Sequence, residues 1–358
     1  MTNPITARFD LDYGSFRLNV DLHLPGTGIT VLFGPSGSGK TTLLRCIAGL
    51  QKAQQGLLAI NGEVWQDSER GLFIPTHKRA LGYVFQEANL FPHLTVKGNL
   101  QFGLKRIGNS RNHDLAHILA LLGIEHLLDR TPDRLSGGER QRIAIARALA
   151  LNPKILLMDE PLASLDFKRK QEILPFLNDL HQELNIPVIY VTHSQQEVAQ
   201  LADHLVIMEA GKVLATGPLS ETLSRLDTPL AQDREASTVW QAKIIGHDDQ
   251  FHLTNMGFDG GIISLPTLVG KVGMPLRLQI HARDVSITLQ APTATSILNV
   301  LPASVTGIVD DDSGQTVVGL RVGGQPLLAH ITQKSARLLN LQIGMSVYVQ
   351  IKGTSILN

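Results

Sequence analysis

The sequence has almost no cysteine and no excess of either charge. Its 358 residues include one cysteine, Cys46, so no disulfide can form within the chain. Lysine plus arginine and aspartate plus glutamate both total 32, which gives a formal net charge of zero at pH 7. Proteins that bind nucleic acid usually carry a basic excess to meet the phosphates, so we expect no nucleic-acid partner.

Long apolar runs are also missing. The chain contains no uninterrupted apolar stretch of about 18 residues, the length that would indicate a transmembrane helix. Its first residues, MTNPITARFDLDYG, lack the basic start and apolar core of a signal peptide. We therefore expect a peripheral protein on the cytoplasmic face of the inner membrane if it works at a membrane, docked on a partner that spans it.

The pattern of apolar and polar residues changes once along the chain. Between about residues 28 and 216, short apolar runs such as ITVLFG (29–34), ILLMDE (155–160) and PVIYVTHS (187–194) alternate with helix-length segments, which predicts an α/β domain with a buried parallel sheet. After about residue 228, short alternating segments punctuated by glycine, proline and threonine predict an all-β barrel. The predicted parts are an α/β domain (1–229), a β-rich connecting segment (230–290) and a β-barrel (291–358).

A glycine-rich segment carries the strongest chemical signal. GPSGSGKT (34–41) fits the pattern G-x-x-x-x-G-K-[ST] between a strand-like run and a helix-like one. Glycines let successive N–H groups turn inward toward a phosphate, and the helix start adds its positive end. Such a match favours a nucleotide site over an ordinary turn, with the Lys40 ammonium on the β- and γ-phosphates and the Thr41 hydroxyl on Mg²⁺. The predicted nucleotide-binding residues are Gly34, Pro35, Ser36, Gly37, Ser38, Gly39, Lys40, Thr41 and Thr42.

Polar residues at strand ends are the next candidates. MDEP (158–161) closes an apolar run, so Asp159 can hold Mg²⁺ through water and Glu160 can polarise an attacking water. The alternative is an acidic strand end that only caps the next helix. His193 ends another apolar run, and by itself such a histidine favours a structural role.

The octet LSGGERQR (135–142) resembles the signature of ABC transporter ATPases, and residues 1–229 resemble that family in motif order. The resemblance implies a P-loop ABC ATPase fold that binds ATP and Mg²⁺. It adds Gln86 as the glutamine of the Q-loop, SLD (164–166) as the D-loop and His193 as the switch histidine. The implied catalytic set is Glu160, His193 and Gln86, and the implied metal set is Thr41, Gln86 and Asp159.

The same resemblance implies partners. In the family, Ser136, Gly137 and Gly138 bind the γ-phosphate held by a second subunit, so a homodimer with two ATP molecules between its subunits is expected. The segment ANLFPHLTVKGNL (88–100) resembles the stretch that contacts the membrane subunit, and core packing is the alternative for its apolar residues Leu90, Phe91 and Leu94. Two permease subunits and an external oxyanion-binding protein are the implied partners.

Two smaller features leave alternatives open. An aromatic residue upstream of the phosphate loop stacks on adenine in this family, and both Tyr13 and Phe16 are candidates, unless both are core. HDLAH (113–117) has the histidine spacing of a zinc-binding helix, but it lacks the glutamate of H-E-x-x-H and a third ligand. We therefore interpret it as a solvated helix face and expect no structural metal.

The C-terminal part of the sequence resembles one subgroup of ABC transporter ATPases. Two segments resemble the ATPase subunits of molybdate importers: RDVSITLQAPTATSILNVLPASVTGI (283–308) and YVQIKGTSI (348–356). Those subunits end in an OB-like, molybdopterin-type (Mop) barrel. Ser296 and the Lys352–Gly353 pair match positions that hold an oxyanion, although Leu298 stands where a basic residue often follows. The alternative is a structural, dimer-forming barrel.

The function implied is ATP hydrolysis coupled to uptake of molybdate or tungstate. Alternatives are an importer of sulfate, iron, sugar or polyamine, and a soluble ABC ATPase without a transport role.

Overall fold

The computed structural model describes residues 4–107, 115–183, 185–266, 269–311 and 313–357. The chain divides into two compact units, Met1–Thr216 and Gly217–Asn358. None of the helices in the described ranges combines the length and the hydropathy needed to cross a membrane.

The first unit contains two sheets. Its strands are β1 (Ile5–Asp12), β2 (Arg17–Leu24), β3 (Gly28–Phe33), β4 (Gln55–Ile60), β5 (Glu63–Asp67), β6 (Leu72–Phe73), β7 (Leu81–Val84), β8 (Ile155–Asp159), β9 (Pro187–Thr192), β10 (His204–Glu209) and β11 (Lys212–Pro218). One sheet has the order β2-β1-β4-β5-β6 with antiparallel neighbours, and the other has the order β11-β10-β3-β9-β8-β7. The neighbours from β10 to β7 run parallel.

Helices follow the strands of the second sheet. They are α1 (Lys40–Ala48), α2 (Val96–Ile107), α3 (Leu115–Leu121), α4 (Gly137–Leu149), α5 (Phe167–Glu183) and α6 (Gln195–Leu201). Every residue of β9 and the first four of β8 are buried, because parallel strands in this layer are covered on both faces. The α/β class predicted for this part is confirmed.

A buried arginine closes the far end of α1. Arg79 is 6% exposed, and its Nη1 donates to the carbonyls of Cys46 (3.2 Å) and Ile47 (2.6 Å), while its Nε donates to Ile74 O at 2.7 Å. The guanidinium also lies 5.1 Å from the Phe73 ring centre. Burial lowers the pKa of Arg79 to about 10, so it remains a cation at neutral pH, facing the negative end of the helix.

The described residues of the second unit form mainly β-strands, together with three short α-helices. Its strands are β12 (Ser237–Asp248), β13 (Leu253–Phe258), β14 (Gly261–Leu265), β15 (Pro275–His281), β16 (Val285–Thr288), β17 (Asn299–Asp310), β18 (Gln315–Val322), β19 (Gln325–Thr332), β20 (Ser346–Ile351) and β21 (Ser355–Leu357), and its helices are α7 (Leu219–Leu223), α8 (Pro229–Gln232) and α9 (Gln333–Leu338). The strands form two five-stranded sheets, β14-β13-β12-β15-β21 and β16-β20-β17-β18-β19. The predicted C-terminal β class is confirmed.

The two sheets of this unit exchange strands. β16 comes from the predicted connecting segment but pairs with β20, whereas β21 at the end of the chain pairs with β15. The predicted limit at residue 290 is therefore not a division between sheets. The compact unit also begins before the predicted boundary at 229, because Leu226 packs over Gly307 and Gly319 and joins a small buried cluster with Ala231.

We predict that Arg79→Ala lowers the free energy of unfolding of the first unit by about 3 kcal/mol or more, because three carbonyls lose a buried donor and a cavity remains. The measurement is the urea midpoint for labelling of Cys46, which is buried and is the single cysteine of the chain.

Arg8→Ala is the matched control, because Arg8 makes an exposed ion pair with Asp21. Such a pair contributes about 0–1 kcal/mol, so this variant should unfold close to the parent. Equal midpoint shifts for the two variants would contradict the capping role of Arg79.

Candidate nucleotide site

The phosphate loop is the turn between β3 and α1. Gly37 and Gly39 have φ of 81° and 100°, and a Cβ on Gly39 would lie 2.9 Å from Phe16 Cζ, so this position requires glycine. No side chain caps the first turn of α1. Its leading N–H groups are therefore available at the loop, together with the positive end of the helix.

Lys40 lies inside that loop. It is 4% exposed, and its Nζ donates to the carbonyls of Gly34 (2.7 Å) and Pro35 (2.8 Å). Burial lowers the pKa of Lys40, and the carboxylates of Glu160 and Asp159 partly offset that shift by stabilising its charge. The ammonium is thus held where the sequence places a phosphate-binding cation.

Two predicted metal ligands meet at the end of β8. Thr41 Oγ1 donates to Asp159 Oδ1 at 2.8 Å, and Tyr83 OH donates to Oδ2 at 3.1 Å. Burial, and then the negative charge of Asp159, raise the pKa of Tyr83, which keeps it a donor. The third predicted ligand, Gln86, is exposed two residues beyond β7, whose Val84 pairs with the β8 residue before Asp159.

Glu160 and His193 come from neighbouring strand ends. His193 Nδ1 lies 3.2 Å from Glu160 Oε2. The Glu160 backbone has φ of 45°, an uncommon conformation for a residue with a side chain, and its N–H donates to Val191 O at 3.1 Å. The β8–β9 pairing therefore brings the two predicted catalytic side chains into contact.

The signature segment begins α4 with a reciprocal cap. Ser136 Oγ accepts from Glu139 N at 3.3 Å, and Glu139 Oε2 accepts from Ser136 N at 2.7 Å. Burial acts to raise the pKa of Glu139, but the bonds from Ser136, together with the charges of Arg130 and Arg142, lower that pKa. Glu139 thus completes a capping box with Ser136.

A cavity of about 590 Å³ opens beside this cap. It is lined by Ser136, Gly138, Glu139, Arg142, Asp166, Lys168, Arg169, Glu172, Ile173 and Phe176. This lining includes none of residues 34–42. Within one chain, the predicted signature residues and the predicted phosphate loop thus line separate places.

Two residues that the sequence analysis missed fix the segment after Gln86. The fully buried Asn99 accepts from Phe91 N (2.8 Å) and donates to the carbonyls of Phe91, Leu94 and Thr95 at 3.1–3.3 Å. Arg147 of α4 donates to the carbonyls of Asn89 (2.9 Å) and Ala88 (3.2 Å). An asparagine inside the quoted motif ANLFPHLTVKGNL was the available signal.

The predicted docking residues of this segment are only half-buried. Leu90, Phe91 and Leu94 each keep part of their surface, although the Phe91 ring packs on Phe102 at a centroid distance of 4.3 Å. They therefore combine core packing with an accessible apolar face.

The two candidate aromatic residues lie together. The Tyr13 and Phe16 rings are stacked with centroids 6.5 Å apart. Tyr13 is 52% exposed, whereas Phe16 is half-buried against Gly39 and Gly211. Tyr13 therefore offers the freer ring.

The histidine pair of HDLAH is described only in part. His113 lies outside the described residues, and the His117 ring contacts the Glu183 carboxylate. Within the described ranges, no three histidine, cysteine, aspartate or glutamate side chains converge as a metal site.

The motif TSILNVL (295–301) has an unexpected structural role. Asn299 Oδ1 accepts from Ser264 N at 2.7 Å, and its Nδ2 donates to Ser264 O at 3.0 Å. The amide thus mimics a peptide group and ties the start of β17 to β14 of the other sheet. Ser264 Oγ in turn donates to Asn255 at 2.7 Å.

The candidate oxyanion residues lie at the surface. Ser296 and Lys352 are exposed, and Leu298 is 70% exposed. A Cβ on Gly353 would lie 3.2 Å from the Asp284 carboxylate, so a negative charge adjoins this position. These residues do not form an enclosed anion site within one chain.

Comparison with known proteins shows which family the chain belongs to. The ABC transporter family model matches residues 18–163, and the TOBE domain model matches residues 295–357. The molybdenum import ATP-binding protein ModC of Methylococcus capsulatus is 56% identical, and the match covers 99% of each chain. The chain belongs to the ModC family.

Other ModC proteins match over similar lengths. That of Aromatoleum aromaticum is 56% identical, covering 99% of this chain and 94% of its own, and ModC 1 of Azotobacter vinelandii is 52% identical, covering 99% and 98%. The full-length match includes the C-terminal barrel as well as the ATPase motifs. The family predicted from LSGGERQR and TSILNVL is thus confirmed.

Two solved structures resemble the ATPase part. CbiO1 of Clostridium perfringens, part of the cbiONQ ABC transporter complex, has a TM-score of 0.55 at 27% identity over 63% of this chain and 92% of its own. The cassette MJ0796, solved as a dimer bound to ADP and phosphate after hydrolysis, has a TM-score of 0.50 at 29% identity over 60% and 98%.

We predict that Asn299→Asp lowers the free energy of unfolding of the second unit by about 1–3 kcal/mol, because a carboxylate cannot donate to Ser264 O and leaves that carbonyl without its bond. The measurement is the unfolding midpoint followed by Trp240 fluorescence in a Trp65→Phe background, since the chain has two tryptophans. Ser296→Ala, at an exposed position of the same motif, is the control, and an equal shift in it would contradict the clamp.

Proposed function

We propose that the chain is the ATP-hydrolysing subunit of an ABC importer that energises molybdate uptake. The observation that carries this proposal is the match to a ModC protein over 99% of both chains, which includes the C-terminal barrel, whereas the match to MJ0796 covers 60% of this chain. The contacts of the nucleotide site support hydrolysis. An importer of another oxyanion or of another cargo is the alternative.

The phosphate loop is proposed to hold the β- and γ-phosphates. Lys40 supplies a buried cation, and the N–H groups at the start of α1 supply donors directed at an anion. The hydroxyl of Thr41 and the carboxylate of Asp159 are oxygen donors already in contact, a set that fits Mg²⁺, with Gln86 as a third. Bound there, Mg²⁺ would neutralise charge on the phosphates.

Glu160 is proposed to take the proton of the attacking water. Its carboxylate is near enough to Lys40 of the phosphate loop to oppose the lowering of the Lys40 pKa by burial. His193, 3.2 Å away, holds that carboxylate in orientation. Tyr13 has the freer ring to stack on adenine, because Phe16 is already packed against Gly39.

A homodimer is proposed as the working form. Ser136, Gly137 and Gly138 begin a 13-residue helix beside an open cavity that is separate from the phosphate loop of the same chain. A second copy could bring its own phosphate loop to that helix start, as the dimeric state of MJ0796 suggests. Each ATP would then lie between two subunits.

The remaining partners follow from the family. We propose that the segment around Leu90, Phe91 and Leu94 docks on each of two permease subunits at the cytoplasmic face of the inner membrane. Asn99 and Arg147 give that segment a fixed shape. An external oxyanion-binding protein would deliver the cargo to the permease.

We predict that Lys40→Ala and Glu160→Gln each reduce steady ATP hydrolysis at least about a hundredfold, because one removes a phosphate ligand and the other the base. Nucleotide binding separates the two variants. Lys40→Ala should lose ATP affinity, whereas Glu160→Gln should bind ATP and accumulate as a dimer in size-exclusion chromatography. Glu63→Gln, in an exposed ion pair with Lys154, is the control. Parent turnover in Glu160→Gln would refute the assignment.

Oxyanion binding by the barrel is a further part of the proposal. We expect molybdate to bind through Ser296 and Lys352 only in the dimeric protein, because one chain leaves both residues exposed. Lys352→Ala should abolish binding in equilibrium dialysis, and Asp284→Asn should strengthen it by removing a like charge. If neither substitution changes molybdate binding, Ser296 and Lys352 do not form the site, and the structural role of this part of the barrel is favoured.

A further inference from the structure

A buried carboxylate on α6 has a role that the nucleotide motifs do not assign. Glu197 is 2% exposed and accepts from three side chains: Tyr190 OH (2.9 Å) and Thr192 Oγ1 (2.8 Å) on Oε2, and Lys170 Nζ (2.8 Å) on Oε1. Burying a carboxylate is costly unless it is paired and hydrogen-bonded, and here both conditions are met.

The hydrogen bonds of Glu197 involve the two residues next to His193 in the sequence, Thr192 and Ser194. Thr192 Oγ1, which donates to Glu197, also accepts from Ser194 N at 3.0 Å. Ser194 Oγ accepts in turn from Glu197 N at 3.4 Å and caps α6. The residues immediately before and after His193 are therefore both fixed by a network that ends on one carboxylate.

The cation of this network comes from another element of the site. Helix α5 begins directly after the segment 164–166, which is interpreted as the D-loop. Lys170 lies in the first turn of this helix, and its backbone N–H donates to Asp166 O at 3.0 Å. Its side chain is 20% exposed, so its contact with Glu197 is largely shielded from water. The start of α5 and the loop that carries His193 are thus joined through Glu197.

We propose that Glu197 is a positioning residue for His193, with Lys170 supplying its counter-charge and Thr192 relaying its position to the backbone. This inference rests on the proposed function, in which His193 orients Glu160. Glu197 itself has no part in binding nucleotide. Its loss should therefore lower turnover while leaving ATP affinity unchanged.

A general stabilising role is the competing explanation, and two variants separate it from positioning. Glu197→Gln keeps the shape but presents an amide that cannot satisfy Lys170, Tyr190 and Thr192 together. Thr192→Val keeps the volume but removes the relay to Ser194, while the Glu197–Lys170 pair stays intact. Glu63→Gln, which breaks an exposed ion pair with Lys154, is the control.

The experiment measures the kinetics of ATP hydrolysis and the His193 ring resonance in the full-length protein. We expect kcat to fall about tenfold in Glu197→Gln and severalfold in Thr192→Val, with KM for ATP within about twofold of the parent. The ¹³C–¹H resonance of the His193 ring, assigned by its loss in His193→Gln, should move in both variants and stay in place in Glu63→Gln.

An unmoved His193 resonance in both variants would overturn the inference, as would equal losses of kcat and ATP affinity. If Glu197→Gln does not fold, Thr192→Val alone decides. A separate result tests the underlying proposal: if His193→Ala hydrolyses ATP at the parent rate, the role of His193 is wrong, whereas the resonance still reports whether Glu197 positions the ring.

Discussion

Parallel pairing of β3, β9 and β8 is the constraint on which the nucleotide site depends. Parallel strands end at a common sheet edge, so the register Phe33 to Thr192 and Asp159 to Val191 aligns three segments that are distant in sequence. The phosphate loop, the acidic strand end and His193 follow directly from those ends. A shift of one residue in the β8–β9 pair would separate Glu160 from His193, because successive side chains point to opposite faces.

The first unit buries three charged side chains, each with a different kind of partner. The ammonium of Lys40 contacts loop carbonyls, Arg79 caps the carbonyls at the end of α1, and Glu197 pairs with Lys170. Carbonyl contacts leave Lys40 free of a bound carboxylate, although Glu160 and Asp159 are near enough to favour its charge. That arrangement fits the proposed role of Lys40 as a phosphate ligand, since a direct ion pair with a carboxylate would first have to break.

The sequence predicted features whose chemistry is local. GPSGSGKT carries its own turn, donors and helix start, so its spacing predicts a phosphate site, whereas LSGGERQR, which carries its own cap, is interpreted through its resemblance to the ABC transporter signature. Tyr83 and Glu197 act through partners that the fold brings from other elements, and no local pattern marks such contacts. The strand exchange in the β part also has no local mark: β16 and β21 each pair in the sheet formed mainly by the other predicted segment.

The motif TSILNVL, which indicated the molybdate-importer subgroup, has a structural role in the barrel. Asn299 closes one sheet on the other, Leu301 is buried between them, and Ser296 and Leu298 remain at the surface. A sequence pattern can thus mark a family through its folding requirements and say little about a ligand. The molybdate proposal accordingly rests on relatives that match along the whole chain, whereas hydrolysis rests on contacts within this one.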